Sequence, residues 1–288
     1  MASMASFSVP SSPAKLAVCD VAARKNLILS LPNSLSPVTG PHQEPSSAAW
    51  TSKMDGSAAI GIMCKAPLPG RTKTRLAAAI GAESAAALSA CFVRDVAATI
   101  KTIPESLACK GYGVYMPVGA EAELRRILPP SFGLLLQVDA EFGNVLYGAA
   151  RDLLAAGHDC VMLVNSDGPT LPVSFFLEAI EALRCPGDRM VLGPAVDGGY
   201  YLIGLKAAHR RLFTDIPWGT EAVARLTIER AAEIGLEVML LPAWYDVDDE
   251  ESLDWLRQEL AGRSDRFRAG APAQATRAFL GVPAEAAK

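Results

Sequence analysis

The chain has 288 residues, of which 50% are hydrophobic and 20% are charged, and its formal net charge is −4. This is the composition of a globular protein, and the slight excess of acidic residues argues against a general nucleic-acid-binding protein, which would be basic. No apolar run approaches the roughly 18 residues that a membrane-spanning helix needs, so we expect neither nucleic acid nor a membrane as a partner.

Three regions follow one another along the chain. Residues 1–56 are rich in Ser, Pro and Ala and poor in acidic residues, which predicts a disordered N-terminal extension. The segment is like an organellar transit peptide but has few arginines, and a true start at Met54 is an equally good interpretation. Residues 57–262 form the predicted domain, and residues 263–288 are predicted to be a C-terminal tail that frays.

Strand and helix patterns alternate within the domain. Strands are predicted at 58–64, 113–118, 134–138, 160–165, 190–193, 200–205 and 237–241. Helices are predicted at 74–103, with an interruption at Gly81, and at 121–128, 144–156, 173–183, 220–234 and 250–260. This alternation predicts an α/β fold of three layers, α/β/α, with a mostly parallel sheet. Ligands bind such folds outside the carboxyl ends of the strands.

The loop after the first predicted strand is rich in cations. It reads Lys65-Ala-Pro-Leu-Pro-Gly-Arg-Thr-Lys-Thr-Arg75, so that Lys65, Arg71, Lys73 and Arg75 lie around the turn at Gly70. A loop that enters a helix presents free backbone N–H groups, and Arg and Lys side chains bind phosphate oxygens. The pattern indicates a polyphosphate site, although a solvated basic loop remains an alternative. It is neither a Walker loop nor a dinucleotide fingerprint.

Acidic residues follow two other predicted strands. Asp167 comes directly after the apolar run 160–165, where a carboxylate suits Mg²⁺ or an ordinary Asx turn. Asp246 and Asp248 would point the same way in an extended chain. The acids from 246 to 251 could alternatively all serve the N-terminus of the helix that follows.

The run Asp-Gly-Gly-Tyr-Tyr-Leu-Ile-Gly-Leu begins at Asp197. Gly198 and Gly199 allow a tight turn and a close approach of a ligand to the main chain. Asp197 precedes a strand instead of following one, so it reaches the common rim of the sheet only if 200–205 is antiparallel to its neighbours. A simple Gly-Gly hairpin remains an alternative. Nearby, Thr220 is a predicted helix N-cap, and Trp218 packs either on a ligand or in the core.

Cysteine and histidine usage narrows the chemistry. Six scattered cysteines without a Cys-x-x-Cys pair favour a reducing, cytoplasmic compartment over a disulfide scaffold or a zinc site. The three histidines show no metal-ligand spacing, which disfavours a histidine metal site and a Ser-His-Asp triad.

Together these motifs resemble a family of bacterial transferases, the radical-SAM/selenodomain-associated transferase 1 family, whose members are also identified as arsenosugar-type glycosyltransferases. The resemblance spans about residues 57–262. It is carried by segments 65–76, 166–171, 193–205, 217–220 and 246–253, of which the Asp-Gly-Gly run is the most specific. More distantly, the chain is similar to phospholactate and molybdenum-cofactor guanylyltransferases. The resemblance implies a GT-A-like nucleotide-diphospho-sugar transferase fold with Mg²⁺ or Mn²⁺ as cofactor.

The resemblance also implies roles for individual residues. Arg71, Lys73 and Arg75 match the phosphate-binding loop, and Asp167 and Asp248 match the two metal ligands. Asp197 matches the Asp of the family's Asp-Gly-Gly, which implies contact with the acceptor or the sugar. The backbone of Gly198 and Gly199 would then face the transferred group or its acceptor. We take Asp197 and Lys73 as the catalytic candidates.

The chain departs from the family pattern at three places. Gly168 stands where Cys or another residue is usual, and Asn165 stands where Gly is frequent. The segment Gln137-Val-Asp-Ala-Glu-Phe-Gly143 lacks the first Gly of the family's Gln-x-Gly-x-x-Leu-Gly. This last departure bears on acceptor contacts at 139–143.

Three functions are compatible with the sequence. The first is glycosyl transfer from a nucleotide sugar to a small-molecule acceptor. The second is nucleotidyl transfer, in which a phosphorylated substrate attacks an NTP and pyrophosphate leaves, and the basic loop favours it. The third is a non-catalytic nucleotide-binding module, which the retained candidate ligands disfavour.

Overall fold

The structure, a computed structural model, describes residues 56–267 and 270–283. Residues 1–55 of the predicted extension, which spans 1–56, and the last residues of the tail lie outside the described residues. Within the described part, no helix is both long enough and apolar enough to cross a bilayer.

A seven-stranded sheet forms the centre of the domain. Its strands are β1 (Ala58–Lys65), β2 (Cys109–Met116), β3 (Gly133–Leu136), β4 (Cys160–Asn165), β5 (Arg189–Pro194), β6 (Tyr200–Leu205) and β7 (Glu237–Leu240). Their order across the sheet is β3-β2-β1-β4-β6-β5-β7. Strand β6 is antiparallel to both of its neighbours, and every other pairing is parallel. The predicted α/β fold with a mostly parallel sheet is confirmed.

Helices cover both faces of the sheet. They are α1 (Thr74–Ile80), α2 (Ala82–Lys101), α3 (Glu121–Arg125), α4 (Phe142–Ala155), α5 (Val173–Arg184), α6 (Val223–Glu233), α7 (Glu250–Leu260) and α8 (Gln274–Leu280). Successive residues of β1 point to opposite faces, so Ile60 and Ile62 pack in one core while Ala59 and Met63 pack in the other. Helices α2, α5 and α7 cover the first core, and α4 and α6 cover the second.

Helix boundaries differ from prediction where local hydrogen bonds intervene. Helix α6 begins at Val223, so Thr220 is not its N-cap. The Thr220 hydroxyl instead donates to the Pro217 carbonyl at 2.8 Å and accepts from the Ala222 amide at 3.4 Å. These contacts hold a turn that precedes the helix.

The described part of the tail around α8 does not fray as predicted, because α8 packs against α2. The buried carboxylate of Asp95 on α2 accepts hydrogen bonds from the amides of Ala275 at 2.9 Å and Thr276 at 2.8 Å. These amides are in the first turn of α8, where N–H groups lack partners within the helix. A side chain 180 residues away in sequence therefore caps the helix.

The antiparallel strand β6 brings the turn between β5 and β6 to the carboxyl edge of the parallel strands, as the sequence required for Asp197. Gly198 has a φ of 89°, and its carbonyl accepts from the Ala224 amide at 2.9 Å. A Cβ on Gly198 would lie 2.2 Å from the Glu221 carbonyl oxygen. The turn therefore needs glycine both for its backbone angle and for its close packing.

A buried polar network joins the C-terminal segment to the loop that follows β4. Glu259 of α7 is 5% exposed and accepts hydrogen bonds from the hydroxyls of Tyr245 and Thr170 and from the Gly270 amide. Burial raises the pKa of Glu259 above its ordinary value, although these hydrogen bonds act in the opposite direction.

We predict that Glu259→Ala lowers the free energy of unfolding by about 3 kcal/mol, because three buried donors lose their acceptor. Glu259→Gln keeps the shape of the side chain and can satisfy the same partners, so its loss of unfolding free energy should be smaller.

The raised pKa of Glu259 also predicts a dependence of stability on pH. A group whose pKa is raised in the folded state adds stability at low pH, and this stability is lost as the pH rises through that pKa. Urea denaturation between pH 4 and 8 should show this loss of unfolding free energy in the wild type and not in Glu259→Gln. Identical pH profiles for the two proteins would contradict the prediction.

We further predict that Gly198→Ala lowers the free energy of unfolding by about 3 kcal/mol, from backbone strain and overlap with Glu221. Gly70→Ala is the matched control, since Gly70 also has a positive φ of 73° but has no atom within 4 Å of the position that a Cβ would take. It should cost about 1 kcal/mol, the strain alone. Urea midpoints compare the two, and equal losses would show that the Glu221 contact is unimportant.

Candidate active site

The predicted cationic residues and two of the predicted acidic residues meet in one cleft of about 610 Å³ at the carboxyl edge of β1 and β4. Its lining includes Lys65, Arg71, Lys73, Arg75, Asp167 and Asp248, six of the predicted site residues. Val138 and Phe142 line it as well, and these side chains are 42% and 46% exposed. The cleft therefore has basic, acidic and apolar surfaces.

The basic loop has a defined conformation. The Ala66 amide donates to the Met116 carbonyl at 2.8 Å, which extends the β1–β2 pairing into the loop. The buried Thr72 hydroxyl closes the loop by donating to the Ala66 carbonyl at 3.0 Å. Helix α1 has only seven residues, so the dipole at its N-terminus is small. The positive potential of the loop comes mainly from its side chains.

Lys73 is the most constrained of these cations. It occupies the N-cap of α1 in the left-handed region, with a φ of 53°. Its Nζ lies 2.9 Å from Oδ2 of Asp167 and 2.6 Å from Oδ1 of Asp248, and the side chain is 5% exposed. Burial alone would lower the pKa of Lys73, but the two carboxylates outweigh burial and the pKa is raised. The ammonium is therefore charged at neutral pH.

The acidic segment before α7 is divided between two tasks. Asp249 is the N-cap of α7 and forms a capping box with Ser252. Asp248 instead faces the cleft, where Oδ1 binds Lys73 and Oδ2 accepts from Arg75 at 2.9 Å. The alternative that all these acids serve the helix is therefore wrong for Asp248.

Asp167 is tied to the same segment through the backbone. The Val247 amide donates to the Asp167 carbonyl at 2.9 Å, and the Ser166 hydroxyl donates to Oδ1 of Asp167 at 3.0 Å. A Cβ on Gly168 would lie 3.5 Å from the Tyr245 carbonyl oxygen, an ordinary van der Waals distance, so the approach of the two segments does not require glycine at this position. These contacts fix the spacing between the two acidic segments.

Asp246 and Asn165 join the cluster, although neither was predicted as a site residue. Nδ2 of Asn165 donates to the Tyr200 carbonyl at 3.1 Å and to Oδ2 of Asp246 at 3.3 Å. Oδ1 of Asp246 is buried and has no hydrogen-bond partner. Burial, followed by the nearby Asp167 carboxylate, raises the pKa of Asp246 to about 7. The sequence did offer one signal for Asp246, because it is expected to point the same way as Asp248 in an extended chain.

Asp197 lies on the same rim but outside the cleft lining. Its Oδ1 accepts from the Gly199 amide at 2.9 Å, and the side chain is exposed. Asp197 and Gly198 line a second depression of about 440 Å³ together with Glu221 and Arg225. Its charge contributes to the raised pKa of Asp246, so the two sites are electrostatically connected.

Trp218 forms part of the cleft's apolar support. Its ring lies 5.1 Å from that of Phe142 and 6.3 Å from that of Tyr200, measured between centroids, both edge to face. Trp218 thus packs partly buried against the core at Tyr200 and against Phe142, which lines the cleft, and contact with a ligand stays a prediction.

The residues available for a metal are two carboxylates that already converge on one cation. Among the residues the structure describes, no group of three or more His, Cys, Asp or Glu side chains is arranged to hold a metal ion. Mg²⁺ is commonly held by one or two carboxylates together with substrate phosphates. The pair Asp167 and Asp248 fits that mode, with the Lys73 ammonium now between them.

Comparisons with known proteins agree with this fold. The family described as "Uncharacterized protein conserved in bacteria (DUF2064)" matches residues 99–220. A crystal structure from Desulfovibrio desulfuricans G20, provisionally named a nucleotide-diphospho-sugar transferase, is 29% identical with a TM-score of 0.67, covering 78% of this chain and 96% of that one. The comparison with curated proteins gave no match.

Two further solved structures are less similar to this chain, and no argument about function rests on them. CMP:2-keto-3-deoxy-manno-octonic acid synthetase complexed with CTP is 12% identical, with a TM-score of 0.49 over 72% of this chain and 100% of that one. A 4-diphosphocytidyl-2C-methyl-D-erythritol synthase is 10% identical, with a TM-score of 0.48 over 71% and 98%. The predicted nucleotide-diphospho-sugar transferase fold is thus confirmed through the Desulfovibrio protein, to which this chain is similar over most of its length.

Proposed function

We propose that the protein is a transferase acting on a nucleotide-activated substrate, and that it moves a glycosyl group from a nucleotide sugar to a small-molecule acceptor. One observation carries the proposal: a cationic loop and a pair of carboxylates from distant segments line a single cleft. The similarity to the Desulfovibrio protein named for this activity supports it. Membership of the radical-SAM-associated branch, and a cytoplasmic location, remain predictions.

The cations are proposed to bind the diphosphate. Lys65 and Arg71 are exposed in the cleft, and no ion pair involves either among the described residues. Their charges are therefore available to an anionic ligand. Lys73 and Arg75 border the same space, and Gly70, with its positive φ, shapes the turn directly before Arg71. Charge-assisted hydrogen bonds to phosphate are stronger than hydrogen bonds between neutral groups, and Arg can bind two phosphate oxygens at once.

Asp167 and Asp248 are proposed to hold Mg²⁺ or Mn²⁺. When bound, such an ion stabilises the negative charge that develops on a leaving diphosphate. The protein's own contribution is to fix the two carboxylates through the Val247–Asp167 backbone contact and through their shared cation.

Asp197 is proposed to orient or deprotonate the acceptor, with Gly198 and Gly199 facing the transferred group. Its exposed carboxylate, held by the Gly199 amide, suits an acceptor that enters from the second depression. A candidate base must come within hydrogen-bond reach of its proton in the bound complex.

Nucleotidyl transfer is the second candidate, favoured by the density of cations in the loop at 65–75. The two reactions release different products. Glycosyl transfer from a nucleotide sugar releases a nucleoside diphosphate, whereas attack on the α-phosphate of an NTP releases pyrophosphate.

We predict that the full chain binds a nucleotide sugar with a requirement for Mg²⁺ or Mn²⁺, and that Asp167→Asn with Asp248→Asn removes the metal dependence. Calorimetry against panels of nucleotide sugars and NTPs measures this. Asp152→Asn with Asp254→Asn is the control, because both carboxylates lie in surface ion pairs elsewhere. Metal-dependent binding that survives the first pair of changes contradicts the metal site, and binding of NTPs alone favours nucleotidyl transfer.

We predict that Arg71→Ala weakens nucleotide binding about tenfold, the loss of roughly one charge-assisted hydrogen bond. Arg151→Ala removes the same charge from α4, where Arg151 pairs with Asp152, and should leave affinity unchanged. Titration of both variants at equal ionic strength makes the comparison. Equal losses in the two variants would indicate a general charge effect instead of a phosphate contact.

A further inference from the structure

Lys73 occupies the position at which the proposed metal would bind. Its Nζ contacts one oxygen of each carboxylate, at 2.9 Å from Asp167 and 2.6 Å from Asp248. The side chain is 5% exposed, so this ammonium is enclosed by the cluster and does not extend into the open cleft. A divalent ion that shared the same two oxygens with the ammonium would place two mutually repelling cations at contact distance.

The backbone around Lys73 maintains this arrangement. Lys73 adopts a left-handed conformation that few non-glycine residues take, and its carbonyl accepts the Ala77 amide at 2.7 Å as α1 begins. The preceding Thr72 is buried and bonded to Ala66. The side chain is thus directed from a fixed base, while its four-carbon stem leaves the ammonium able to move.

Lys73 also differs from the other cations of the cleft. Lys65 and Arg71 are exposed there, and the ion pairs found in the described residues include neither, whereas the Lys73 ammonium is committed to two carboxylates. Lys73 can reach a phosphate only if something replaces it between those carboxylates.

We propose that Lys73 is an exchangeable cation: it holds Asp167 and Asp248 together in the ligand-free protein, a divalent ion displaces its ammonium, and the freed ammonium binds the phosphates that arrive with the ion. The inference rests on the proposed function for the identity of the phosphate ligand. It implies that metal alone binds weakly, because it must displace Lys73. It also implies that metal and nucleotide favour each other's binding, as coupled ligands do.

The test measures Mn²⁺ alone, without nucleotide, by the decrease of the free-ion signal in electron paramagnetic resonance. Lys73→Met should bind Mn²⁺ at least tenfold more tightly than the wild type. Lys65→Met is the matched control, since it removes the same charge from the same cleft without touching either carboxylate. Its affinity should change by less than threefold. Asp167→Asn in the Lys73→Met background should remove the gain.

A second measurement uses the folded wild type and does not depend on any variant folding. The ¹⁵N resonance of the Lys73 ammonium, visible because the group is buried and bonded, should shift as Mg²⁺ is added. That of Lys206, whose ammonium donates to the carbonyls of Cys185 and Gly187 outside the cleft, should not shift. An unchanged Lys73 resonance overturns the proposal, as do equal gains in Mn²⁺ affinity for the two Lys→Met variants or no gain in either. Tighter Mn²⁺ binding by Lys73→Met in a protein that binds no nucleotide supports the exchange but rejects the proposed function.

Discussion

The site depends on one interaction, the buried ammonium of Lys73 shared between Asp167 and Asp248. Two carboxylates that both lie within 2.9 Å of one ammonium would repel each other if that ammonium were absent, and burial would strengthen the repulsion. The shared ammonium lets three segments meet, the basic loop, the loop after β4 and the start of α7, although Lys73 and Asp248 are 175 residues apart. It sets the spacing of the carboxylates before any ligand arrives.

The surrounding fold keeps those segments in place. The backbone bond from Val247 to Asp167 joins the two acidic segments directly. Behind them, Glu259 joins Thr170 of the loop after β4 to Tyr245 and to Gly270 of the C-terminal segment. A buried network whose donors and acceptors are matched is rigid, because each member has a large desolvation cost if it is released. The C-terminal segment thus supports the two acidic segments that line the cleft.

Much of the fold follows from local sequence, and much of the site does not. Strands β4 and β6 match their predicted bounds because short, continuous apolar runs suit buried strands and little else. Helix α8 was missed because its anchor is Asp95, far away in sequence, and an Ala- and Arg-rich segment gives no sign of such a cap. The sequence identified the cations and carboxylates as separate motifs of opposite charge. It could not reveal that Lys73 bonds the acids while Lys65 and Arg71 remain open, since that division depends on tertiary distances.

The charge of the cluster explains why a divalent ion and Lys73 are suitable alternatives. Two carboxylates, those of Asp167 and Asp248, pair with two cations, Lys73 and Arg75, so the cluster has no excess positive charge to repel an incoming metal ion. If Lys73 leaves, the two carboxylates outnumber the one cation that remains, and the vacated position attracts a cation. Asp246, with one buried oxygen lacking any partner, is costly to keep in a protein whose only need is stability. A buried carboxyl that is kept at that cost beside Asp167 and Asp248 points to a role in the site and not in stability.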